Sequence, residues 1–374
     1  MKKKRKYYSF IVVCCTIAFM LGVGLTFAIV NNPLNSKENK NSNTSTNTCG
    51  SCSNTGTTIV ENGGLSESVQ KVYDSVVMVK NIKNNMTSGS GSGVIYKKDV
   101  DYGYIITNYH VIENGTGVKI LLSSGVEVEG EVLGGDKFMD IAVIRIDSNN
   151  VLSVASIGSS ASLKLGSLVF VMGTPVSKRY FNSITGGYIS GLNRKVTVSV
   201  ESTDDWVQEV IQVDAAINPG NSGGGLFDVN GDLIGISSMK LVDSQIEGMG
   251  FAIKIEDALK HVDVFEKGEA IQRPYLGITY LNVTEKNALS YYGFEIDSSI
   301  TEGVVVAKVE DNSVAKKAGL QKGDIIIKLN EDTASSSAFL RYLLYKYNVG
   351  DDIKVTYLRD GKEYTTNVKL TVKK

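Results

Sequence analysis

A lone serine, Ser222, stands among four glycines in the stretch DAAINPGNSGGGL, which covers residues 214–226. A serine hydroxyl is a weak nucleophile at neutral pH, so covalent chemistry on it requires a base beside it and a carboxylate that orients the base. Surrounding glycines allow a sharp turn and leave room for a large reactant. The stretch therefore indicates acyl transfer at Ser222 if the chain supplies a histidine and an acid, and otherwise a plain glycine-rich turn.

Two histidines are available as the base, His110 and His261. His110 ends the β-patterned run GYIITNYHVI and enters the loop ENGTG, where a side chain can face a cleft. His261 lies in a helix-compatible stretch between Lys260 and Val262, so it is most simply a solvated or half-buried helix residue. His110 is therefore the predicted base.

Two aspartates in the stretch GGDKFMDIAVIRI are candidates for the orienting carboxylate. Asp140 opens an apolar strand and would be fixed at the edge of a core, whereas Asp136 lies in the preceding glycine turn, where aspartate is common for local reasons. A partly buried carboxylate on a rigid element suits the role better, which selects Asp140. The order His110, Asp140, Ser222 is that of the chymotrypsin-like double barrel and differs from the orders in subtilisin and the α/β-hydrolases.

The elements that must position these residues are mainly strands. Residues 65–255 consist of short alternating or β-branched runs between glycine-containing turns, a pattern typical of an all-β barrel or sandwich. The turn DVNGD at 228–232 has the Asn-Gly signature of a tight hairpin, and the stretch KIEDALKHVDVFEKG at 254–268 predicts a closing helix. A mixed pattern follows and predicts a small α+β module of about a hundred residues that ends in a hairpin.

The first thirty residues predict a membrane anchor. Five of the first six are Lys or Arg, and residues 10–30, FIVVCCTIAFMLGVGLTFAIV, carry no charge. As a helix this run is about 31 Å long, which is enough to cross a bilayer core. The basic flank puts the N-terminus in the cytoplasm and the folded part outside. A cleaved signal peptide is the alternative, although the run is long for one and ends in a poor cleavage site, and a lipid anchor on Cys14 or Cys15 is another.

The predicted linker at 31–64 is rich in Asn, Ser, Thr and Gly and cannot bury a core. Its Cys49 and Cys52 form a C-x-x-C, for which we favour a local disulfide over a redox pair or half a zinc site, because zinc usually takes four ligands and the other two cysteines lie in the apolar run. The net charge of −1 gives no reason to expect a nucleic-acid partner. The predicted organisation is a cytoplasmic segment (1–9), a transmembrane helix (10–30), a disordered linker (31–64), a protease-like β domain (65–265) and the α+β module (266–374).

The motifs TNYHVI, DIAVIRI, QVDAAINPGNSGGGL and GMGFAI resemble those of the HtrA/Deg family of trypsin-like serine proteases. The likeness runs from about residue 65 to the C-terminus, since YLGI and AGLQKGDII in the second module resemble the PDZ domain of that family. It implies a chymotrypsin-like double β-barrel with two six-stranded barrels. His110 and Asp140 would come from the first barrel and Ser222 from the second, with a PDZ domain after them.

The resemblance explains the glycines around the serine. The backbone N–H groups of Gly220 and Ser222, with Asn221 between them, would form an oxyanion hole, and Gly223 and Gly224 would keep the approach to Ser222 open. Digestive relatives become active when a freed N-terminal ammonium pairs with an aspartate immediately before the serine. Asn221 occupies that position here, and its neutral side chain cannot form the pair. Loops around GTPVSKRYFNSITGG (173–187) and SMKLVDSQIEGMGF (238–251) are instead expected to order the oxyanion site when substrate or PDZ ligand binds.

Specificity would depend on Ala216, which lies six positions before the serine and is followed by Ile217. In trypsin-like enzymes that cut after Lys or Arg, an acidic residue occupies that position at the floor of the specificity pocket. An apolar floor should reject charged side chains. It favours small or medium aliphatic side chains before the scissile bond.

The PDZ-like module is expected to add a bound peptide as a strand and to receive a C-terminal carboxylate at a loop. The loop comprises Tyr275, Leu276, Gly277 and Ile278. A PDZ fold that acts only as a spacer or docking surface is the alternative. The resemblance also implies a homotrimer, and we would look for its contacts in LSESVQKVYDSVVMVKN at 65–81.

Together these features predict an anchored serine endoprotease of a bacterial cytoplasmic membrane, with its protease and PDZ domains outside the cytoplasm. It would cleave misfolded or exported proteins through an acyl-enzyme, with no metal and no cofactor. Two alternatives stay open. One is a signalling protease that cuts a single membrane partner when its PDZ domain senses a peptide, and the other is a chaperone-like binding protein with weak hydrolysis.

Overall fold

The structure is a computed structural model that describes residues 65–174, 181–199, 205–238 and 248–373. The predicted anchor, the predicted linker, and Cys49 and Cys52 all lie outside these residues. Among the helices that the structure does describe, none is long and apolar enough to cross a membrane. The anchor at 10–30 therefore stays a prediction from sequence.

Six antiparallel strands close into a first barrel in the order β1-β2-β3-β6-β5-β4. Its strands are β1 Val76–Lys83, β2 Met86–Lys98, β3 Tyr102–Thr107, β4 Gly117–Leu121, β5 Glu127–Asp136 and β6 Ile141–Asp147. Alternate side chains point inward along each strand, so the β-branched residues of the sequence pattern fill the interior. The inward set includes Val79, Ile95, Ile105, Ile120 and Ile144, all fully buried.

A second barrel follows, in which the pairing of β11 with β12 closes the ring β11-β8-β9-β10-β13-β12. Its strands are β7 Ser156–Ile157, β8 Leu168–Gly173, β9 Ser183–Ser199, β10 Asp205–Val213, β11 Gly225–Asp228, β12 Asp232–Ser237 and β13 Gly250–Lys254. The short β7 adds to this ring by pairing in parallel with β12. The prediction of two six-stranded barrels is confirmed. The barrels pack on each other through a shared core in which the rings of Phe170 and Phe227 stack 5.3 Å apart.

Short helices connect these strands. They are α1 Ser66–Val72, α2 Tyr109–Ile112, α3 Ile255–Leu259 and α4 Val262–Glu266, with 3₁₀ turns at Tyr73–Ser75, Ser148–Asn150 and Ser160–Ser162. The closing stretch predicted as one helix is two, because His261 takes a φ of −125° and breaks the helical path between α3 and α4. The hairpin expected at DVNGD joins β11 to β12, with Gly231 at a φ of +77°.

The C-terminal module is a mixed α+β unit, as predicted. Its main sheet has the order β15-β16-β17-β19-β20, with β18 paired to β17 and a separate pair β14-β21. The strands are β14 Pro274–Tyr275, β15 Ile278–Asn282, β16 Val304–Val309, β17 Ile325–Leu329, β18 Asp332–Thr333, β19 Asp352–Arg359, β20 Lys362–Lys369 and β21 Thr371–Val372, and the helices are α5 Lys286–Tyr291, α6 Val314–Lys317 and α7 Ser337–Leu344. Asp360 and Gly361 both have positive φ, the requirement of a tight turn that matches strand twist, and they form the predicted final hairpin.

Helix α7 of this module packs against β10 of the second barrel. The hydroxyl of Tyr342 donates to the Glu209 carboxylate at 2.8 Å, and the ring of Tyr345 lies 5.4 Å from that of Trp206. Val207 of β10 is fully buried within the hydrophobic cluster of the C-terminal module. The two domains therefore share an apolar and hydrogen-bonded contact.

A buried ion pair stabilises the C-terminal module and carries a prediction. The carboxylate of Asp324 is 1% exposed and accepts from Arg359 Nε at 2.7 Å, from Arg359 Nη2 at 2.8 Å and from the Gln321 N–H at 2.7 Å. The substitution Arg359→Met leaves that carboxylate buried without its cation, so we expect the free energy of unfolding to fall by about 3–5 kcal/mol. Urea unfolding measures this, with Arg194→Met at an exposed arginine as the control. A loss below about 1 kcal/mol would contradict the expected burial cost.

Candidate active site

A cavity of about 530 Å³ contains both His110 and Ser222 in its wall. His110 belongs to the one-turn helix α2, which follows β3 of the first barrel. Ser222 lies between β10 and β11 of the second barrel. Pro219 and Gly220 line the same cavity. The structure thus brings the two predicted reactive residues together where the barrels meet.

His110 is held by Asp140 through its ring and its backbone. Ring atom Nδ1 lies 2.9 Å from both Oδ1 and Oδ2 of Asp140, and the His110 backbone N–H donates to Oδ1 at 3.0 Å. The Asp140 side chain is 2% exposed, while that of His110 is 28% exposed. A buried carboxylate on Nδ1 orients the ring and leaves Nε2 as the nitrogen that can exchange a proton in the cavity.

Asp140 itself takes an unusual backbone conformation just before β6. Its φ of +54° is in the left-handed region, which costs energy for a residue with a side chain. Two buried neighbours hold it there. Asn108 Nδ2 donates to the Asp140 carbonyl at 2.9 Å, and Ser238 Oγ donates to the Asp140 carboxylate at 2.9 Å. The sequence did not reveal either contact, because the two residues lie 32 and 98 positions from Asp140.

The other acid and the other histidine lie elsewhere. Asp136 ends β5, where its carboxylate accepts the N–H groups of Phe138 and Met139 at 2.9 and 2.7 Å, so it has the local turn role expected of it. His261 is half-buried at the start of α4 and lines a different cavity. Burial, together with the nearby cations Lys260 and Arg273, lowers the pKa of His261. Neither residue reaches the cavity of Ser222.

The loop that bears Ser222 is fastened to the first barrel by Ser92. The Ser92 N–H donates to the Ser222 carbonyl at 2.8 Å, and Ser92 Oγ donates to the Gly220 carbonyl at 2.6 Å. Ser92 is fully buried in β2, so the contact joins the two barrels beside the reactive serine. No pattern in the sequence indicated this role, since Ser92 is one of several serines in a Ser-Gly run.

Gly223 and Gly224 have a different function from the one expected. A Cβ at Gly223 would lie 2.2 Å from the Ser92 carbonyl oxygen, and a Cβ at Gly224 would lie 2.4 Å from that of Met172. Gly223 also has a φ of +82°. These glycines therefore let the loop pack against neighbouring backbone. The expectation that they keep the approach to the serine open was wrong.

Gly220 and Asn221 shape the predicted oxyanion hole. Gly220 has a φ of +100°, a conformation that glycine adopts without strain. The Asn221 N–H donates to the Asn218 carbonyl at 3.0 Å, so it is already used within the loop. Its side chain is buried, with Nδ2 at 3.5 Å from the Ala216 carbonyl. Asn221, one of the three residues predicted to form the oxyanion hole, therefore stabilises the conformation of the loop itself.

Ala216 and Ile217 lie before this turn. Ala216 is exposed, and its carbonyl accepts from Thr185 Oγ1 at 2.9 Å, whereas Ile217 is 9% exposed and lies against Gly250. Neither lines the cavity that contains His110 and Ser222. We assigned control of the oxyanion site to the loops at 173–187 and 238–251, and residues 175–180 and 239–247 of these loops lie outside the described residues.

The predicted carboxylate-binding loop of the second module is tightly supported. Gly277 has a φ of +78°, and its carbonyl accepts the Glu310 N–H at 2.9 Å. Leu276 and Ile278 are buried, at 2% and 6% exposure. Tyr275 donates its hydroxyl to Glu310 at 2.5 Å, and burial together with this carboxylate raises the pKa of Tyr275 to about 12. The loop leads into β15, which ends the order of the described sheet.

Two family models match the chain in these two regions. The model of the trypsin-like peptidase domain matches residues 91–236, and the model of the PDZ domain matches residues 274–370. The first match lies within the two barrels, from β2 to β12, and the second lies within the C-terminal module. Fold and matches together define a trypsin-like serine protease that carries a PDZ domain.

Relatives make the assignment narrower. The chain is 36% identical over 359 residues to the serine protease Do-like HtrA of Lactococcus lactis subsp. cremoris (strain MG1363), with 88% of each chain covered. It is 38% identical over 335 residues to the serine protease Do-like HtrB of Bacillus subtilis (strain 168), with 84% of this chain and 72% of the relative covered. The chain belongs to the HtrA family of serine proteases and is a serine endopeptidase.

Solved structures agree with this assignment. The serine endoprotease from Yersinia pestis superposes with a TM-score of 0.61 at 29% identity, over 83% of this chain and 98% of that one. The HtrA-type protease AlgW with a decapeptide superposes with a TM-score of 0.62 at 26% identity, over 83% and 99%. The fold is therefore similar to that of known HtrA-type enzymes.

Proposed function

We propose that this protein is a membrane-anchored, extracytoplasmic protease that cleaves misfolded or exported proteins with His110, Asp140 and Ser222 as its catalytic triad. The observation that carries the proposal is the contact of His110 Nδ1 with the buried Asp140 carboxylate at 2.9 Å. His110 also lines the same cavity as Ser222. This arrangement has the base, its orienting acid and the nucleophile in the roles that acyl transfer requires.

The chemistry follows from these positions. Ser222 Oγ attacks the substrate carbonyl carbon while His110 Nε2 takes the hydroxyl proton, and Asp140 stabilises the imidazolium that forms. His110 then gives the proton to the leaving amine as the C–N bond breaks, which leaves an ester on Ser222. A water molecule then attacks that ester with His110 again as the base. This step releases the acid product and restores the free hydroxyl of Ser222.

The negative oxygen of each tetrahedral intermediate would be received by the backbone N–H groups of Gly220 and Ser222. Asn221 serves as the spacer between these donors, because the Asn218 carbonyl takes its own N–H. Loss of one such donor typically costs a factor of about 10²–10³ in rate. Gly220 has the positive φ that this turn requires, so the turn that would present both N–H groups depends on a glycine at this position.

Cleavage specificity should be aliphatic. Ala216 occupies the position six residues before Ser222, where it offers no carboxylate to a basic side chain. We expect a peptide-library digest to show cleavage mainly after residues such as Val, Ala, Ile and Leu, with selectivity among them limited to about 1–3 kcal/mol per methylene. Dominant cleavage after Lys or Arg would contradict this role of Ala216.

The PDZ domain is proposed to bind the C-terminal or hydrophobic ends of peptides and to regulate the protease. Strand β15 ends the described sheet, so it offers an edge to which an extended peptide can pair. The Arg341 guanidinium on α7 donates to the Tyr280 hydroxyl on β15, with Nη2 at 3.0 Å, so this helix and this strand lie side by side. A structural relative, AlgW, has been solved with a decapeptide and with a tripeptide, which supports peptides as ligands here.

The test of this function is degradation of an unfolded protein such as β-casein by the full-length chain, with and without a hydrophobic peptide that has a free C-terminal carboxylate. We expect cleavage that a fluorophosphonate abolishes and that the peptide increases. The same peptide with an amidated C-terminus is the matched control, since it lacks the group that the loop at Leu276 to Ile278 would receive.

Each other outcome has a defined meaning. Cleavage without any response to the peptide would reject PDZ regulation and keep the protease. Absence of cleavage under all conditions would reject general degradation and favour the alternatives, a signalling protease with one partner or a binding protein with weak hydrolysis.

The anchor and the homotrimer complete the proposal. Residues 10–30 and the basic segment before them support insertion with the N-terminus in the cytoplasm of a bacterial cell. Protease added outside spheroplasts should then digest the folded domains, and their protection would contradict this orientation. The family resemblance supports a trimer that forms through residues 65–81. Light scattering of the detergent-solubilised chain would test this by measuring the mass of the assembly.

A further inference from the structure

The peptide bond that precedes Asp140 is held by a side chain of the second barrel. Gln208 lies in β10 and donates from its side-chain Nε2 to the Met139 carbonyl at 2.9 Å. Gln208 is buried, at 8% exposure, so water competes little for this bond. Only the nitrogen of a carboxamide can donate to a carbonyl, and the contact therefore fixes which way the amide points.

The peptide bond that follows Asp140 is held in the same manner from the first barrel. Asn108 Nδ2 donates to the Asp140 carbonyl at 2.9 Å, and Asn108 is fully buried. Each peptide unit is planar, so a bond to its carbonyl fixes the whole plane. The Met139 carbonyl belongs to the plane before the Asp140 Cα, and the Asp140 carbonyl belongs to the plane after it. The two amides thus fix the direction in which the Asp140 side chain leaves the backbone.

The backbone at Asp140 needs such support. Its φ of +54° is unfavourable for a residue with a side chain, and such a conformation persists only where the surrounding structure holds it. The His110 and Ser238 bonds reach the far end of the side chain, since both end on the carboxylate. The hydrogen bonds to the backbone carbonyls on either side come from Gln208 and Asn108.

Packing alone does not account for a glutamine at this position. Gln208 Oε1 is buried and has no hydrogen-bond partner among the described residues, which is a cost that an apolar side chain of the same size would avoid. Contact with substrate does not account for it either, because Gln208 is absent from the wall of the cavity that contains His110 and Ser222. What the glutamine supplies is the N–H donor to Met139.

We propose that Gln208 is a positioning residue of the protease, which acts on the reaction through Asp140. This inference rests on the proposed triad. Without the donor, the Met139 peptide turns away from the orientation that gives Asp140 its positive φ. The carboxylate then leaves Nδ1 of His110, and the ring loses the group that orients it. Substrate binding is unaffected, because Gln208 lies outside the cavity.

The variant Gln208→Met tests this role, since methionine has similar length and volume but no donor. Active sites are counted by fluorophosphonate titration of the full-length protein, and steady-state kinetics on one peptide substrate give kcat and KM. We expect kcat to fall about 10- to 100-fold, as when a catalytic group moves by about 1 Å, with KM within about twofold of the parent. Gln208→Glu keeps the shape but puts an acceptor against the carbonyl, so its loss should be larger.

The control makes the same chemical change elsewhere. Gln321 is exposed in the PDZ domain, so Gln321→Met should retain the kcat and KM of the parent.

A second measurement follows the hydrogen bond between His110 and Asp140 directly. The chain has two histidines, so in full-length protein labelled with ¹⁵N-histidine the Nδ1–H resonance of His110 is assigned by its loss in His110→Ala. We expect this resonance to move upfield or to exchange faster with water in Gln208→Met, and to stay in place in Gln321→Met. The spectrum does not depend on turnover. It therefore tests the positioning role separately from the protease function.

The outcomes separate the two claims. An unchanged Nδ1–H resonance in Gln208→Met would overturn the positioning role whatever the kinetics show. A kcat within about twofold of the parent, or equal losses in Gln208→Met and Gln208→Glu, would also overturn it, because the donor would then not matter. A moved resonance in a parent chain that cleaves nothing would keep the positioning role and reject the protease function.

Discussion

Replacing Ser222 with alanine should lower kcat on an unfolded protein substrate by about 10⁶-fold, the loss typical when a triad serine is removed from a serine protease. The reason is that the alanine has no oxygen to attack the carbonyl, so only binding and electrostatic stabilisation by the oxyanion donors remain. The backbone of the loop should persist, because Ser92 binds the carbonyls of Ser222 and Gly220. Long-time single-turnover assays with purified protein measure the residual rate.

A matched serine variant makes this result specific. Ser290 is exposed in the PDZ domain, so Ser290→Ala should retain full activity. Thermal unfolding of both variants should match that of the parent chain within a few degrees. Residual activity of Ser222→Ala within tenfold of the parent would exclude Ser222 as the nucleophile.

The substitution Asp140→Asn should lower kcat by about 10⁴-fold, although it preserves the size of the side chain. The carboxylate now receives His110 Nδ1, the His110 backbone N–H and the Ser238 hydroxyl, so it only accepts hydrogen bonds. An amide in its place can present an N–H to Nδ1, which favours the tautomer whose proton is on Nε2. That tautomer cannot take the proton of Ser222, and the base is lost.

Asp136→Asn is the matched control, because it makes the same chemical change four positions earlier. Asp136 accepts two backbone N–H groups and pairs with Arg273, and it does not contact His110. We expect its effect on kcat to stay below about tenfold. Steady-state kinetics on one peptide substrate compare the two variants, and an equal or larger loss in Asp136→Asn would reverse the choice between the two acids.

The sequence predicted the barrels well because the strand pattern is local. Inward side chains such as Ile105 and Ile144 alternate with outward ones, and that period directly reflects burial on one face of a strand. The final hairpin was equally readable, since Asp360 and Gly361 are residue types that accept positive φ. The single closing helix was wrong because His261 leaves the helical path, a change that residue periodicity does not record.

The site was predictable only in part, for a physical reason. His110 stood out because histidine is rare in this chain, and Ser222 stood out because of the glycines around it. Asp140 was selected by its position before an apolar strand. The residues that fix them, Ser92 and Ser238, act across contacts that span 128 and 98 positions. No local pattern marks such contacts, since they exist only once the two barrels have packed together.

The same limit applies to the packing glycines. Gly223 looked like an open approach to the serine, whereas its hydrogen side faces the Ser92 carbonyl at a distance that excludes a side chain.

The most direct test of the central claim is to treat the full-length protein with a peptidyl fluorophosphonate and to locate the adduct by mass spectrometry of its peptides. An activated serine reacts with this reagent only when a base removes its proton, so the account predicts one adduct, on Ser222, that is lost in the variant His110→Ala. An adduct on another residue, or equal labelling of Ser222 without His110, would contradict a triad built on these residues.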